Sequence, residues 1–396
     1  MRNLLSYNFI TQKGEKSVES IVKKAIKRAK AENIISEPKK KGPKLKGLIK
    51  DQESLQKILE SSQAKIRVVG VGGGGCNTIQ RMNEVGIEGA VTYAVNTDAQ
   101  DLLSTDSNKK ILIGRETTRG LGSGSDPSVG EASARESLDE LTELLSDSDL
   151  FFITCGMGGG TGTGASPIIA EIGKEMRCLT IAIVTLPFTV EGKRRSENAL
   201  EGLAKLREHT DTVIVIPNDK ILEIAPDVPV NAAFKVADEV LTNAVKGITE
   251  MVTKPGLINL DFADLRTILH KGGAAMIGLG ESQSEEASDA RALESVENAL
   301  TSPLLDVDIS NAKRALVNVV GGADMTLREA EMIVETVSSK IDAEAHIIWG
   351  AMVDKNLPKN RIQAMVVVAG GTFPYLDDLK QIQSKSGLDL GIEFTG

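Results

Sequence analysis

Leu150-Phe151-Phe152-Ile153-Thr154-Cys155-Gly156-Met157-Gly158-Gly159-Gly160-Thr161-Gly162-Thr163-Gly164 is the stretch on which the reading of this chain turns. The apolar run from Leu150 to Cys155 reads as a buried parallel strand, and Ala165 to Ile172 beyond the glycines carries helical apolar spacing. Strand thus runs through glycine into helix. Glycines free the backbone to take positive φ and keep Cβ atoms away, so successive N–H groups can converge on one point. With the positive end of a helix added, that point suits phosphate, and the two threonine hydroxyls offer further donors or a metal contact. No lysine follows the glycines, which excludes a P-loop ending in Gly-Lys-Ser/Thr. A flexible linker would not sit between a buried strand and a patterned helix.

Outward from that stretch, composition sets the frame. The chain has 396 residues, 41% of them hydrophobic, enough for two domains with separate cores. No apolar run reaches the ~18 residues of a membrane span, and the first ten residues lack the pattern of a signal peptide. Cys76, Cys155 and Cys178 cannot all pair and are expected to be reduced, buried thiols of a cytoplasmic protein. Charge is uneven: residues 1–65 hold 16 Lys/Arg against 7 Asp/Glu, while the remainder holds 30 against 48. An acidic body argues against nucleic acid as the main partner. The basic arm is left open between an anionic membrane, a partner and a plain solvated helix.

In chain order, Val18, Ile21, Val22, Ala25 and Ile26 predict a short basic amphipathic helix, Pro38 to Pro43 a linker, and residues 51–61 a second helix. Strands are expected at Lys65–Val71, Ala90–Asn96, Lys110–Ile113, Leu150–Cys155, Leu179–Leu186 and Thr212–Ile216. Helices are expected from about Thr78 and at 131–145 and 194–208. Strands alternating with helices predict a parallel sheet covered on both faces, with ligands beyond the carboxyl ends of its strands. Residues 230–253 read as a long rod helix. After it, strands near 274–279, 314–320, 345–352 and 362–369, with helices near 262–270, 285–300 and 326–340, predict a smaller α/β domain. The expected organisation is a basic extension (1–62), a nucleotide-binding domain (63–229), the connecting helix (230–253), a C-terminal domain (254–372) and a tail (373–396).

A second glycine turn, Gly70 to Gly75, matches G-x-G-x-x-G, and Asp98 follows the next strand where a dinucleotide fold places its ribose contact. Alone, it would point to a dinucleotide-binding oxidoreductase. The richer turn at 158–164 has no role in that scheme, whereas two glycine turns at strand ends suit a polyphosphate gripped from two sides.

Five ordered motifs carry a resemblance. Gly72-Gly73-Gly74-Gly75-Cys76-Asn77, Ala94-Val95-Asn96-Thr97-Asp98-Ala99-Gln100, Gly158 to Gly164, Glu191-Gly192-Lys193-Arg194-Arg195 and Asn259-Leu260-Asp261-Phe262-Ala263-Asp264 fall in the order of the FtsZ family. The chain resembles these tubulin-like cell-division GTPases over about residues 63–372. It departs from them in Cys76, where glycine or alanine is usual, in its basic arm, and in its short tail.

The resemblance implies a GTP- and GDP-binding domain joined by a central helix to a smaller α/β domain. It places Gly73, Gly74, Gly75, Cys76, Asn77, Gly162, Thr163 and Gly164 on the phosphates, with Gly120–Asp126 sensing the γ-phosphate. Glu191 would meet the ribose, Arg195 would offset charge, Phe234 and Asp238 would read guanine, and Asn96, Asp98 and Asn218 would complete the nucleotide contacts. A carboxylate at Asp238 can accept from both N1–H and the 2-amino group of guanine, which favours GTP over ATP. Asn259, Asp261 and Asp264 would be catalytic. On spacing alone the Asp261/Asp264 pair reads as a helix N-cap. The resemblance also implies Mg²⁺ carried by the nucleotide rather than held in a dedicated metal site, and head-to-tail filaments in which one copy's acids complete the next copy's pocket. It further implies a cytoplasmic midcell ring, and membrane-anchoring division proteins reached through the tail or arm. A tubulin-like polymer acting outside division would share the chemistry.

Overall fold

The computed structural model describes residues 64–224, 229–254, 256–282, 289–305, 307–355 and 357–370. The arm helices, the Pro38–Pro43 linker and the tail with its apolar-acidic end lie outside the described residues.

Six parallel strands come first: β1 (Ile66–Val71), β2 (Ala90–Asn96), β3 (Lys109–Leu112), β4 (Leu150–Gly156), β5 (Leu179–Leu186) and β6 (Thr212–Pro217). The second half adds β7 (Gly273–Glu281), β8 (Arg314–Gly321), β9 (His346–Val353) and β10 (Ile362–Ala369). All ten join one sheet in the order β3-β2-β1-β4-β5-β6-β7-β10-β8-β9. The seam between the halves is a short parallel ladder, Thr212 to Ile214 against Gly273 to Ala275. Beyond it β10 runs antiparallel to both β7 and β8, and β8 and β9 are parallel.

Helices cover both faces. They are α1 (Gly72–Val85), α2 (Ala99–Ser104), α3 (Arg115–Thr118), α4 (Pro127–Glu136), α5 (Leu138–Leu145), α6 (Thr161–Glu175), α7 (Lys193–His209), α8 (Asn218–Ile224), α9 (Val230–Thr253), α10 (Phe262–Leu269), α11 (Asp289–Leu300) and α12 (Leu327–Ser338). The rod helix α9 does not separate two independent cores. Its stripe of Ala237, Leu241, Ala244, Val245 and Ile248 is buried in a single cluster with Val68 and Ile79 on one side and Leu316, Met365 and Val367 on the other. A helix apolar on a broad face must bury that face, and here both halves of the sheet supply the cover. Each half keeps a further cluster of its own on the opposite face.

Two helix starts and one break differ from expectation. Helix α1 begins at Gly72 rather than near Thr78, and α6 at Thr161 rather than Ala165. In both, the glycine turn is itself the first helical turn. The pattern read as one helix over 131–145 is two, parted at Ser137, whose N–H returns to Ala134 O at 3.2 Å while its hydroxyl accepts from Gly114 N at 3.2 Å. All three cysteines are free and buried. Among the described residues no helix is long and apolar enough to cross a membrane.

Candidate functional site: a two-turn phosphate cradle

The carboxyl ends of β1, β2, β4, β5 and β6 open into a cleft of about 660 Å³. Its floor is built from the two glycine turns, which touch: a Cβ on Gly72 (φ 70°) would lie 2.8 Å from the backbone N of Gly162. Side chains at these positions would push the turns apart. The first-turn N–H groups of α1 and α6, which have no intrahelical acceptor, therefore converge from two helices on one region. Gly73, Gly74, Asn77, Asn96, Asp98, Gly162, Glu191, Arg195, Asn218, Phe234 and Asp238 all line the cleft. Residues 121–125 of the expected γ-phosphate loop close one side.

Four expected phosphate residues sit behind that lining. Gly75 serves packing, since a Cβ there would come 2.5 Å from Thr154 O and collide with Gly70. Cys76 is fully buried, its Sγ 3.9 Å from Asn96 Nδ2, and burial together with the nearby Asp101 charge pushes its thiol up to about 12. The Thr163 hydroxyl accepts from Gly158 N–H at 2.8 Å and so shapes the turn from beneath. Gly164 lets α6 approach α4, because a Cβ there would run into Pro127 O. Any contact from these four to a ligand is left to their backbone.

Thr161, not Thr163, faces the cleft. Its hydroxyl bonds those of Thr97 at 2.6 Å and Ser123 at 3.0 Å, tying the end of β2, the head of α6 and the 121–125 loop together. Asn96 is spoken for in part: its Oδ1 accepts from Thr97 N–H at 2.8 Å, and its Nδ2 donates to Asp101 Oδ2 at 2.7 Å. Burial and the Asp98 charge raise the Asp101 pKa. Asp98 caps α2, accepting from Gln100 N and Asp101 N. Of the two threonines expected to offer a hydroxyl, Thr161 is thus the one at the cleft; Asp101 is not among the expected site residues, and nothing local in the sequence marks it.

At the other end of the cleft, Asp238 and Phe234 lie one helical turn apart on α9. Phe188 is buried behind Phe234, edge to face at 5.1 Å, and holds that ring at the cleft wall. Asp238 Oδ1 accepts from the Thr78 hydroxyl at 3.2 Å. Burial raises the carboxyl to about 6, with the Thr78 bond pulling the other way. Asn218 is buried and its Oδ1 has no hydrogen-bond partner. An orphaned acceptor and a half-buried carboxylate lining the same cleft suit a ligand rich in N–H donors, such as the edge guanine presents. Glu191 Oε1 accepts from Phe188 N–H at 2.8 Å and Oε2 from Arg195 Nε at 3.0 Å, leaving lone pairs on both oxygens for further donors.

The three expected catalytic residues are elsewhere. Asp261 and Asp264 form a reciprocal capping box at the head of α10: Asp264 N–H donates to Asp261 Oδ1 at 2.8 Å, and Asp261 N–H to Asp264 Oδ2 at 3.2 Å. Asn259 Oδ1 accepts from Gly256 N–H at 2.5 Å. None of the three lines the cleft. Asp238 stands on α9 fifteen residues before its last residue, Thr253, so the segment that carries the acids begins about 22 Å along that rod from the base end of the cleft. The acids and the cradle are thus separate within one copy.

Residues 65–226 match the model of the Tubulin/FtsZ family, GTPase domain, and residues 273–372 that of the FtsZ family, C-terminal domain. The chain is 57% identical over 344 residues to cell division protein FtsZ 1 of Thermococcus kodakarensis, covering 87% of this chain and 91% of that relative. It is 53% identical to cell division protein FtsZ 1 of Archaeoglobus fulgidus, covering 94% and 99%. Among solved structures, the empty FtsZ dimer of M. jannaschii aligns with a TM-score of 0.77 at 55% identity, covering 81% of this chain and 92% of that one.

Proposed function

Because the chain belongs to the tubulin/FtsZ family of GTPases, in its FtsZ branch, we propose that it hydrolyses GTP only where two copies meet head to tail. The observation that carries this reading is the separation of cradle and acids. One copy holds the triphosphate in the converging N–H groups of α1 and α6, with guanine against Phe234 and paired to Asp238. The next copy inserts the 259–264 turn, whose carboxylates polarise the attacking water. Mg²⁺ arriving with the nucleotide would spread the phosphate charge. The cleft and the acid turn, separate on each copy, make a heterologous pair of surfaces, and such a contact that does not close generates a filament. Loss of the γ-phosphate weakens that junction and lets subunits exchange. In the cell such filaments would organise a midcell division ring, tethered through membrane-anchoring proteins. The dinucleotide-oxidoreductase alternative is set aside by the family and by its relatives.

The decisive experiment is GTP turnover against protein concentration. Turnover per molecule should rise steeply above a threshold that coincides with filament formation by light scattering. Dilute, unassembled protein cleaving GTP as fast per molecule would remove the split site.

Asp238 adds a pH signature. A carboxylate accepting from N1–H and the 2-amino group must be ionised, and in the empty cleft it titrates near 6. GTP affinity should therefore fall as pH drops through that value, to about one tenth at pH 5 of its value at pH 7. Equilibrium titration with a non-hydrolysable analogue on dilute protein measures it, and a flat profile would take Asp238 off the base.

A further inference from the structure

The acid-bearing helix α10 is fixed at its far end by an uncommon arrangement. Its last two carbonyls and that of the following residue, groups that a helix normally leaves to water or to a glycine cap, accept from side chains of other elements. Arg314 Nη1, from the head of β8, donates to Ile268 O at 3.2 Å and to His270 O at 2.7 Å. The hydroxyl of Thr212, fully buried at the head of β6, donates to Leu269 O at 2.5 Å. Beside them His270 Nδ1 meets Asp211 Oδ1 at 2.6 Å, and Asp211 Oδ2 accepts from Thr180 N–H at 3.0 Å. The guanidinium also sits at the negative end of the helix dipole. The fastening thus draws on both halves of the sheet, at the seam where Thr212 pairs with Gly273.

The other end of the same segment is held as well. Leu257 N–H and Ile258 N–H both donate to Ala351 O on β9, at 2.7 and 3.2 Å. Between these two anchors lie Asn259 to Asp261 and the eight residues of α10, with Asp264 in its first turn, about 12 Å of rigid rod. A shift of the rod's fastened end carries the acids with it, and about 1 Å of misplacement at a reacting centre is enough to cost on the order of 10²-fold in rate.

We propose that Arg314 and Thr212 are positioning residues for GTP hydrolysis, locking α10 so that Asp261 and Asp264 enter the neighbouring copy's cleft in register. The inference rests on the reading that those acids act across the junction. Arg314→Met removes the forked donor but keeps the length of the stem. Thr212→Val removes one hydroxyl at constant shape. In the full-length protein, each variant should lower saturated GTP turnover in sedimented filaments about 10-fold on the scale of modest misplacement. GTP affinity of the dilute protein should not change, and Arg314→Lys, which keeps the charge but not the fork, should recover part of the loss.

Asp264→Asn is measured in parallel and separates the two failures. If Asp264→Asn is slow while both clamp variants turn over at the wild-type rate in filaments, the clamp is overturned and the trans-acting acids stand. If Asp264→Asn itself is wild-type, the underlying reading falls first. If Arg314→Met fails to fold, Thr212→Val alone decides. A loss of GTP affinity matching the loss of turnover, in either variant, would assign these residues to general fold integrity and overturn the proposal.

Discussion

Asp264→Ala is expected to bind GTP normally and to form filaments, with turnover reduced by at least ~10²-fold, the scale of a lost general base. The structure makes the test sharper than a single substitution. Asp264 Oδ2 accepts from Asp261 N–H, so alanine also removes half of a capping box. Asp264→Asn separates the two roles. Its amide oxygen can still accept from Asp261 N–H, so the helix start and the thermal midpoint are retained. Its uncharged side chain cannot polarise water or take a proton. A capping residue would therefore be rescued by asparagine, whereas a catalytic carboxylate would not. Asp264→Asn filaments with wild-type turnover would reduce the pair to a helix cap and leave the reaction without its acids.

What could be read before the structure, and what could not, divides along one physical line. The strand-glycine-helix units were legible because apolar runs and glycine clusters are local signals, and the long stripe from Ala233 to Ile248 announced α9 by its period alone. The helix starts are hidden in the sequence because glycine is a poor helix former, whereas at Gly72–Gly75 and Thr161–Gly164 close approach requires it. Gly75 packs on Gly70 and Gly164 on Pro127 where larger residues could not fit, and the backbone is helical there despite glycine's low propensity. The same packing keeps Gly75, Cys76, Thr163 and Gly164 behind the cleft lining and leaves any phosphate contact from them to their backbone N–H groups. The break at Ser137 depends on the N–H of Gly114, 23 residues earlier. Thr78 reaches Asp238 across 160 residues, and Arg314 reaches His270 across 44. Partnerships of that range leave no periodicity behind them. Residue type identifies a plausible guanine reader or acid pair; only the fold shows what stands behind each.

Asp238→Asn should exchange the base that the cleft accepts. The carboxylate matches guanine because both of its oxygens accept and both facing guanine groups donate. Asparagine is nearly isosteric but turns one acceptor into an NH₂ donor, set against N1–H or the 2-amino group. Each mismatched buried group costs about 1–3 kcal/mol, so GTP affinity should fall about 10²-fold. Xanthosine triphosphate carries a carbonyl where guanine carries the 2-amino group, which gives the new NH₂ an acceptor. The variant should therefore prefer it to GTP, and assembly driven by it should restore turnover, since the acids and the cradle are untouched. Stability should move the opposite way. The folded Asp238 titrates near 6, above its ordinary 3.8, so ionisation opposes folding at neutral pH, and the contribution present below 3.8 is lost as pH rises through 6. Asparagine carries no charge to desolvate, and the empty variant should melt above the wild type at pH 7 and level with it near pH 4. Weaker GTP binding with a lower midpoint and no gain for xanthosine triphosphate would mean a damaged fold rather than an altered recognition edge.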